Sequence, residues 1–327
     1  MHLLRFLCFH MDDFVVYFPH PIYMVRGMQG EINRLYSMNL LDKLLCDKTT
    51  GKNIIWATDA YSSVTPPRLS VDYERVREIT SSLLVEEAFR LMSRAEKARG
   101  EQSERTKTHA EVFTPFWVVK KMNDYIEAQW FGYESPFDAD RVVFPEDKTW
   151  KQFVDSRRME ITCGEAPYLV TRYDVSNGTA IPLHERAGIL DRKLRVVSEN
   201  AAAEEWLTWA YRAFQATYGY EFQGDNVLLS RVNLLLTFEE YMEEYLHRKP
   251  CQNEYEEIIN ILTWNIWQMD GLTGTIPYGK IKEESLQMTL FANEAEAAPE
   301  NIQPPCRIFD WQAMKDFEYI KLKEAQK

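Results

Sequence analysis

Three carboxylates of this chain stand at equivalent places in short apolar runs. Glu160 lies in Arg158-Met159-Glu160-Ile161, just before the turn Thr162-Cys163-Gly164-Glu165-Ala166-Pro167. Glu221 falls near the end of Tyr218-Gly219-Tyr220-Glu221-Phe222, and Asp270 near the end of Asn265-Ile266-Trp267-Gln268-Met269-Asp270-Gly271. Each run reads as a strand ending in an acid, the first as a buried strand whose tight turn leads straight into a helix. An ionised carboxylate accepts from ligand hydroxyls, and glycine lets a ligand approach the backbone closely. A doubly wound α/β sheet holds a nucleotide-like cofactor with these parts: a tight turn, an acid for the ribose and a polar residue for the base.

Helices must carry these strands. Ile32, Leu35, Met38, Leu41, Leu44 and Leu45 recur at helical spacing and predict one amphipathic helix over 31–46, ended by Thr49-Thr50-Gly51-Lys52. Asn53 to Ala57 reads as a short strand, Thr65-Pro66-Pro67 as a break, and Val71 to about Arg105 as helical with a solvated charged end. Thr114-Pro115 reads as the start of a helix over 116–129. Residues 130–150 read as an irregular connection, and 171–182 as a small ribbon or a loop. Helical patterns follow over 186–217, with Trp206, Trp209, Ala210 and Phe214 on one core face, then over 226–245 and 255–264. From Leu286 the composition turns to Ala, Glu, Asn and Pro, a linker pattern, before the aromatic-rich docking stretch 306–319.

Composition narrows the function classes. A chain of 327 residues with 45% hydrophobic and 27% charged residues can bury a sizeable core, which excludes disorder as the main description. Its formal net charge of -12 argues against gripping nucleic acid unaided, because phosphate neutralisation supplies most non-specific affinity. Five scattered cysteines without a C-x-x-C pair indicate reduced thiols and a cytoplasmic protein, with no metal site. No run is long enough for a membrane helix, no signal peptide is evident, and the first residues read as an upstream extension with Met28 and Met38 as other starts.

The set "EVFTP" (111–115), "MEITCGEAPYL" (159–169), "YGYEFQGDNVLLSRVNLLLTF" (218–238) and "NIWQMDGL" (265–272) resembles the S-adenosylmethionine-binding half of DNA adenine-N6 methyltransferases of restriction-modification systems. The resemblance covers roughly 105–275. It implies a Rossmann-like α/β methyltransferase sheet, here only its first three-strand half. The domains expected are a mainly helical region over 1–105, the cofactor domain over 106–285 and a linker with docking tail over 286–327. By the same resemblance Phe113, Thr114 and Pro115 line the methionine end of the cofactor. Glu160, Thr162, Cys163 and Gly164 surround its amino acid moiety, Glu221 accepts from the ribose, and Asp270 with Ile266 flanks the adenine. Ala166 stands where the family's turn has its second glycine, and the first two motifs lie far apart.

One family motif is missing. The Asn/Asp-Pro-Pro-Tyr/Phe tetrad that holds the flipped adenine occurs nowhere; the nearest strings are Thr275-Ile276-Pro277-Tyr278, Gln303-Pro304-Pro305-Cys306 and Thr65-Pro66-Pro67-Arg68. The resemblance therefore implies no catalytic residue in this chain, and a second protein chain that carries the tetrad and target recognition and brings DNA through the complex. The first strand becomes a bare edge, covered either by 306–319 or by that partner. The alternative is a non-catalytic assembly or cofactor-sensing module on the same fold. A nuclease has little support, for want of a metal-ligand cluster.

Overall fold

A computed structural model describes residues 27–61, 70–87, 89–91, 114–176, 178–279 and 303–325. Its helices and strands, numbered along the chain, are α1 (Met28–Ser37), α2 (Leu41–Leu45), α3 (Ser81–Leu84), α4 (Phe116–Phe131), α5 (Trp150–Asp155), β1 (Arg158–Ile161), α6 (Ile189–Asn200), α7 (Ala203–Gln215), β2 (Thr217–Glu221), α8 (Gly224–Leu246), α9 (Gln252–Asn265), β3 (Ile266–Gln268), β4 (Arg307–Asp310), β5 (Lys315–Glu318) and α10 (Tyr319–Ala325). The class is mixed α/β.

The first three strands form one parallel sheet in the order β1-β2-β3, with Glu160 opposite Gly219 and Gly219 opposite Ile266. Helical crossovers join them, as parallel pairing requires. Local chemistry sets the helix ends. Thr149 and Gln152 exchange side-chain bonds in a capping box that starts α5, and Gly132, at φ 82°, closes α4 by donating to Ala128 O. The segment Val227 to Phe238 of α8 is buried on all sides, as an apolar helix threaded through a core must be.

The sheet has two unlike faces. On one, Gly219 leaves space that Cys163 Sγ and Ile266 Cδ1 fill, at 3.2 and 3.3 Å from where its Cβ would stand. On the other, Tyr218, Tyr220, Trp267 and Met269 pack beneath the antiparallel hairpin β4-β5, through Cys306 and Ile308 with Phe317 and Tyr319 alongside. The docking stretch 306–319 is this hairpin. It covers the face of the sheet and pairs only with itself, so β1 remains an edge among the described residues.

Several expectations change. The first strand is not buried: Met159 and Ile161 are 36% and 63% exposed, because nothing described lies beyond the edge. No helix follows its turn at once; α6 begins at Ile189. The single helix over 31–46 breaks at Asn39 (φ 56°), where Asn39 N donates to Tyr36 O and Leu40 N to Leu35 O. That is a Schellman end with asparagine in the left-handed position. The helix expected from Val71 is reduced to a 3-10 turn over Ser70–Tyr73 and α3 within the described part. Its backbone instead pairs with the stretch read as a strand: Trp56 N reaches Arg77 O, Ala57 N reaches Arg75 O, and Ile79 N reaches Ile54 O. Those are bridges rather than a strand. Residues 28–56 of this N-terminal part share one hydrophobic core with α6 to α9.

Candidate functional site

The carboxyl ends of β1 and β2 meet at the turn Thr162 to Ala166, and the end of β3 lies on the far side of β2, where Met269 N donates to Glu221 O at 2.9 Å. Thr162, Gly164 and Ala166 have φ of 49°, 56° and 65°. Only glycine takes that region without strain; a β-branched residue there is an outlier, and such strain clusters at functional sites. Ala166 holds the left-handed position all the same, fully buried, and donates its amide to Cys163 O at 2.8 Å. The turn is tied to its neighbour by Cys163 N, which donates to Tyr220 O at 2.9 Å.

Glu221, 7% exposed, is the clamp. Its Oε2 accepts from Gly164 N at 2.8 Å and its Oε1 from Gln223 N at 3.1 Å. The residue expected to address a ribose therefore also fixes the turn. Asp270 plays a similar local part, accepting from Leu272 N at 2.8 Å and Thr273 N at 3.4 Å. Glu160 is half-buried on β1, and Cys163 is buried with its thiol pushed well up by burial and by the charges of Glu160 and Glu221. Thr162 is exposed and bonds its hydroxyl to Ile161 O.

Ile266 and Asp270, both expected beside the adenine, stand at opposite ends of the β3 region. Ile266 is the first residue of β3, fully buried against Gly219. The apolar side chains that do accompany the acids at the strand ends are Phe222, half-buried and in ring contact with Tyr278, and Leu272, 92% exposed. Their positions directly after Glu221 and Asp270-Gly271 were the available signal. Phe113 lies outside the described residues. Thr114 and Pro115 are half-buried ahead of α4, whose Glu127 sits 3.7 Å from Arg158 at the start of β1 and whose Asn123 donates to Tyr168 O beyond the turn. The helix thus bridges the start of β1 and the segment beyond the turn.

Glu165 is buried rather than solvated, and its Oε2 accepts from Tyr173 Oη at 2.7 Å. Asp225, in the first turn of α8, is fully buried and accepts from Tyr61 Oη at 2.9 Å.

The carboxyl ends of β2 and β3 receive a part of the chain that the sequence did not place there. Gln268 accepts from Ile55 N at 2.9 Å and donates to Ile55 O and Phe222 O, both at 2.8 Å. Gly224 N donates to Trp56 O at 2.9 Å, and a Cβ on Gly224 would stand 2.0 Å from Ile55 O. The amino terminus of α8 is thus filled by a carbonyl of the chain itself. That of α6 is filled by Asp191 Oδ2, which accepts from Gly188 N and Thr171 N. Helix amino termini are the usual seats of phosphate, and both of these are already taken. What is left is acidic: Glu160, Glu221 and Asp270. Such a site suits a ligand with hydroxyls and positive charge rather than a pyrophosphate.

No family model, curated protein or solved structure matches the chain. Among the described residues there is no group of three or more His, Cys, Asp or Glu side chains fit for a metal ion, and no helix long and apolar enough to cross a membrane.

Proposed function

We propose that this chain is the S-adenosylmethionine-binding part of a DNA adenine-N6 methyltransferase of a restriction-modification or related defence system, acting in the cytoplasm once a second chain completes it. The observation that carries the reading is the set of acidic strand ends in a parallel β1-β2-β3 sheet whose neighbouring helix starts already hold their own acceptors. S-adenosylmethionine has two cationic centres, a sulfonium and an ammonium, against one carboxylate, together with ribose hydroxyls and no phosphate, so its chemistry fits those carboxylates. Gly164 and the turn would meet its amino acid end, Glu221 its ribose and Asp270 its base, with Phe222 and Leu272 as apolar neighbours. The bound cofactor would supply the methyl group; this chain would supply orientation. The adenine-holding tetrad would come from the partner, which would also present the DNA that a chain of net charge -12 holds poorly alone.

Isothermal calorimetry tests the cofactor half: S-adenosylmethionine binds, while NAD and ATP do not. Equal binding of NAD would sink it. Methyl transfer to adenine is expected only after the tetrad-bearing chain of a neighbouring reading frame is added, and transfer by the purified chain alone would sink the split reading. A second reading is a non-catalytic assembly module, favoured by one observation: both Glu221 oxygens already serve the chain's own backbone. Absence of S-adenosylmethionine binding, with and without the partner, would select it.

A further inference from the structure

The free edge of β1 adjoins an apolar groove. Arg158 N donates to Ala216 O at 3.0 Å, on the β2 side. By the alternation of a β-ladder, the amides and carbonyls of Met159 and Ile161 point away from β2, where no described strand pairs with them. Their side chains share the face of Tyr218 and Tyr220, opposite which they lie in register. Beside them a groove of about 170 Å³ is walled by Met159, Tyr218, Ile308, Phe309, Phe317 and Leu322. It runs between the edge strand and the hairpin, so a strand laid along β1 would drop alternate side chains into it.

Charge favours a different chain over a second copy. Arg157 and Asp310 line the groove and pair at 3.0 Å, and Lys315 stands opposite Asp310 in the hairpin. Arg158 is set against the buried Glu127, and Arg307 against Asp316. The lining is positive by one charge (Arg157 and Lys315 less Asp310) in a chain whose formal net charge is -12. Two such chains repel each other, and isologous pairing would set positive lining against positive lining.

We infer that β1 and this groove dock an extended segment of a partner chain, apolar on the face turned to the groove and acidic beside Arg157 and Lys315. A strand added to a sheet edge takes affinity from the backbone ladder and specificity from alternate side-chain pockets. This rests on the split-enzyme reading and names where the partner attaches.

Two probes are used with the full chain. One is the purified tetrad-bearing chain of the neighbouring reading frame; the other is a fluorescent ten-residue peptide of alternating Val and Glu. Both bind the wild type, and Met159→Lys and Leu322→Lys each weaken binding at least tenfold. Ile161→Val binds as wild type and Ile161→Lys does not; Val71→Lys, on a distant exposed residue, changes nothing. S-adenosylmethionine binding stays equal in all variants. A complex indifferent to the three Lys changes at the edge and groove overturns the docking site and leaves the split reading standing. Groove-dependent binding of the peptide with no binding of the neighbouring chain sinks the split reading and leaves the site. Neither probe binding overturns both. Slow amide exchange at Met159 and Ile161 in the isolated monomer, or self-association abolished by Ile161→Lys, also overturns the inference, since this chain would then cover its own edge.

Discussion

Gly164 N donates to Glu221 Oε2 at 2.8 Å, so the strained turn after β1 and the end of β2 are a single unit. Removing the carboxylate strands two buried amides, those of Gly164 and Gln223. Glu221→Ala should cost about 2 to 4 kcal/mol of stability by urea denaturation, and should weaken S-adenosylmethionine binding at least tenfold by calorimetry. Glu221→Gln keeps one acceptor oxygen and should lose about half as much. A cofactor affinity indifferent to both changes would detach Glu221 from the site.

Gly224 tolerates no side chain. A Cβ there would stand 2.0 Å from Ile55 O, a backbone atom that cannot swing aside. Gly224→Ala should cost about 3 kcal/mol and release the Ile55-Trp56 segment from the sheet, measured as faster amide exchange at Gly224 and Ile55. Gln268→Leu, which removes three bonds to Ile55 and Phe222, should do the same.

Glu240 receives the guanidiniums of Arg172 and Arg186 at 2.7 and 2.5 Å. Burial pushes its carboxyl up, but the two arginines outweigh this and hold it at about 2 against an ordinary 4.5. Between those values the unfolded chain binds the proton and the folded chain does not. The contribution is therefore complete above about 4.5 and lost as pH falls toward about 2, on the order of 3 kcal/mol in all. Glu240→Gln should be less stable than wild type at pH 6, with the gap closing by pH 2.5 in urea titrations.

Lys193 is fully buried and donates to Ser156 O and Ala216 O at 2.6 and 3.0 Å. Burial first, then Arg158, lower it to about 7, against the pull of Glu127 and Asp155. Here the unfolded lysine keeps its proton where the folded one has lost it, so stability rises from about pH 7 toward 10.5. Between pH 7 and 9 this group should add about 2 kcal/mol. The same urea titration on Lys193→Met should lack that rise.

The thiols separate by burial. Cys251 is exposed, whereas burial pushes Cys163 and Cys306 well up. Iodoacetamide should label Cys251 in the native chain and reach Cys163 and Cys306 only on unfolding, as read by peptide mass spectrometry.

Periodicity and local chemistry alone were enough for α4, α8 and α9, for β2 and β3, and for the core face of Trp206, Trp209, Ala210 and Phe214. Each is a pattern that neighbouring residues complete. The same reasoning failed where a distant partner decides. Asn39 could be taken for one more helical residue until its left-handed φ closed α1. Residues 75–79 gave up helix because 54–57 supplied backbone partners.

Residue type and order alone put an acid in or just after each of the three strands and leave the chain without an Asn/Asp-Pro-Pro-Tyr/Phe string. What those acids face came from the folding of distant segments onto one another. That folding turned Glu221 onto the amide of Gly164, filled the two helix starts with Trp56 O and Asp191, and laid the hairpin over the sheet's face while leaving β1 at the edge. Hydrogen bonds between residues tens to hundreds of positions apart leave no local signature, and they are what gives this site its shape.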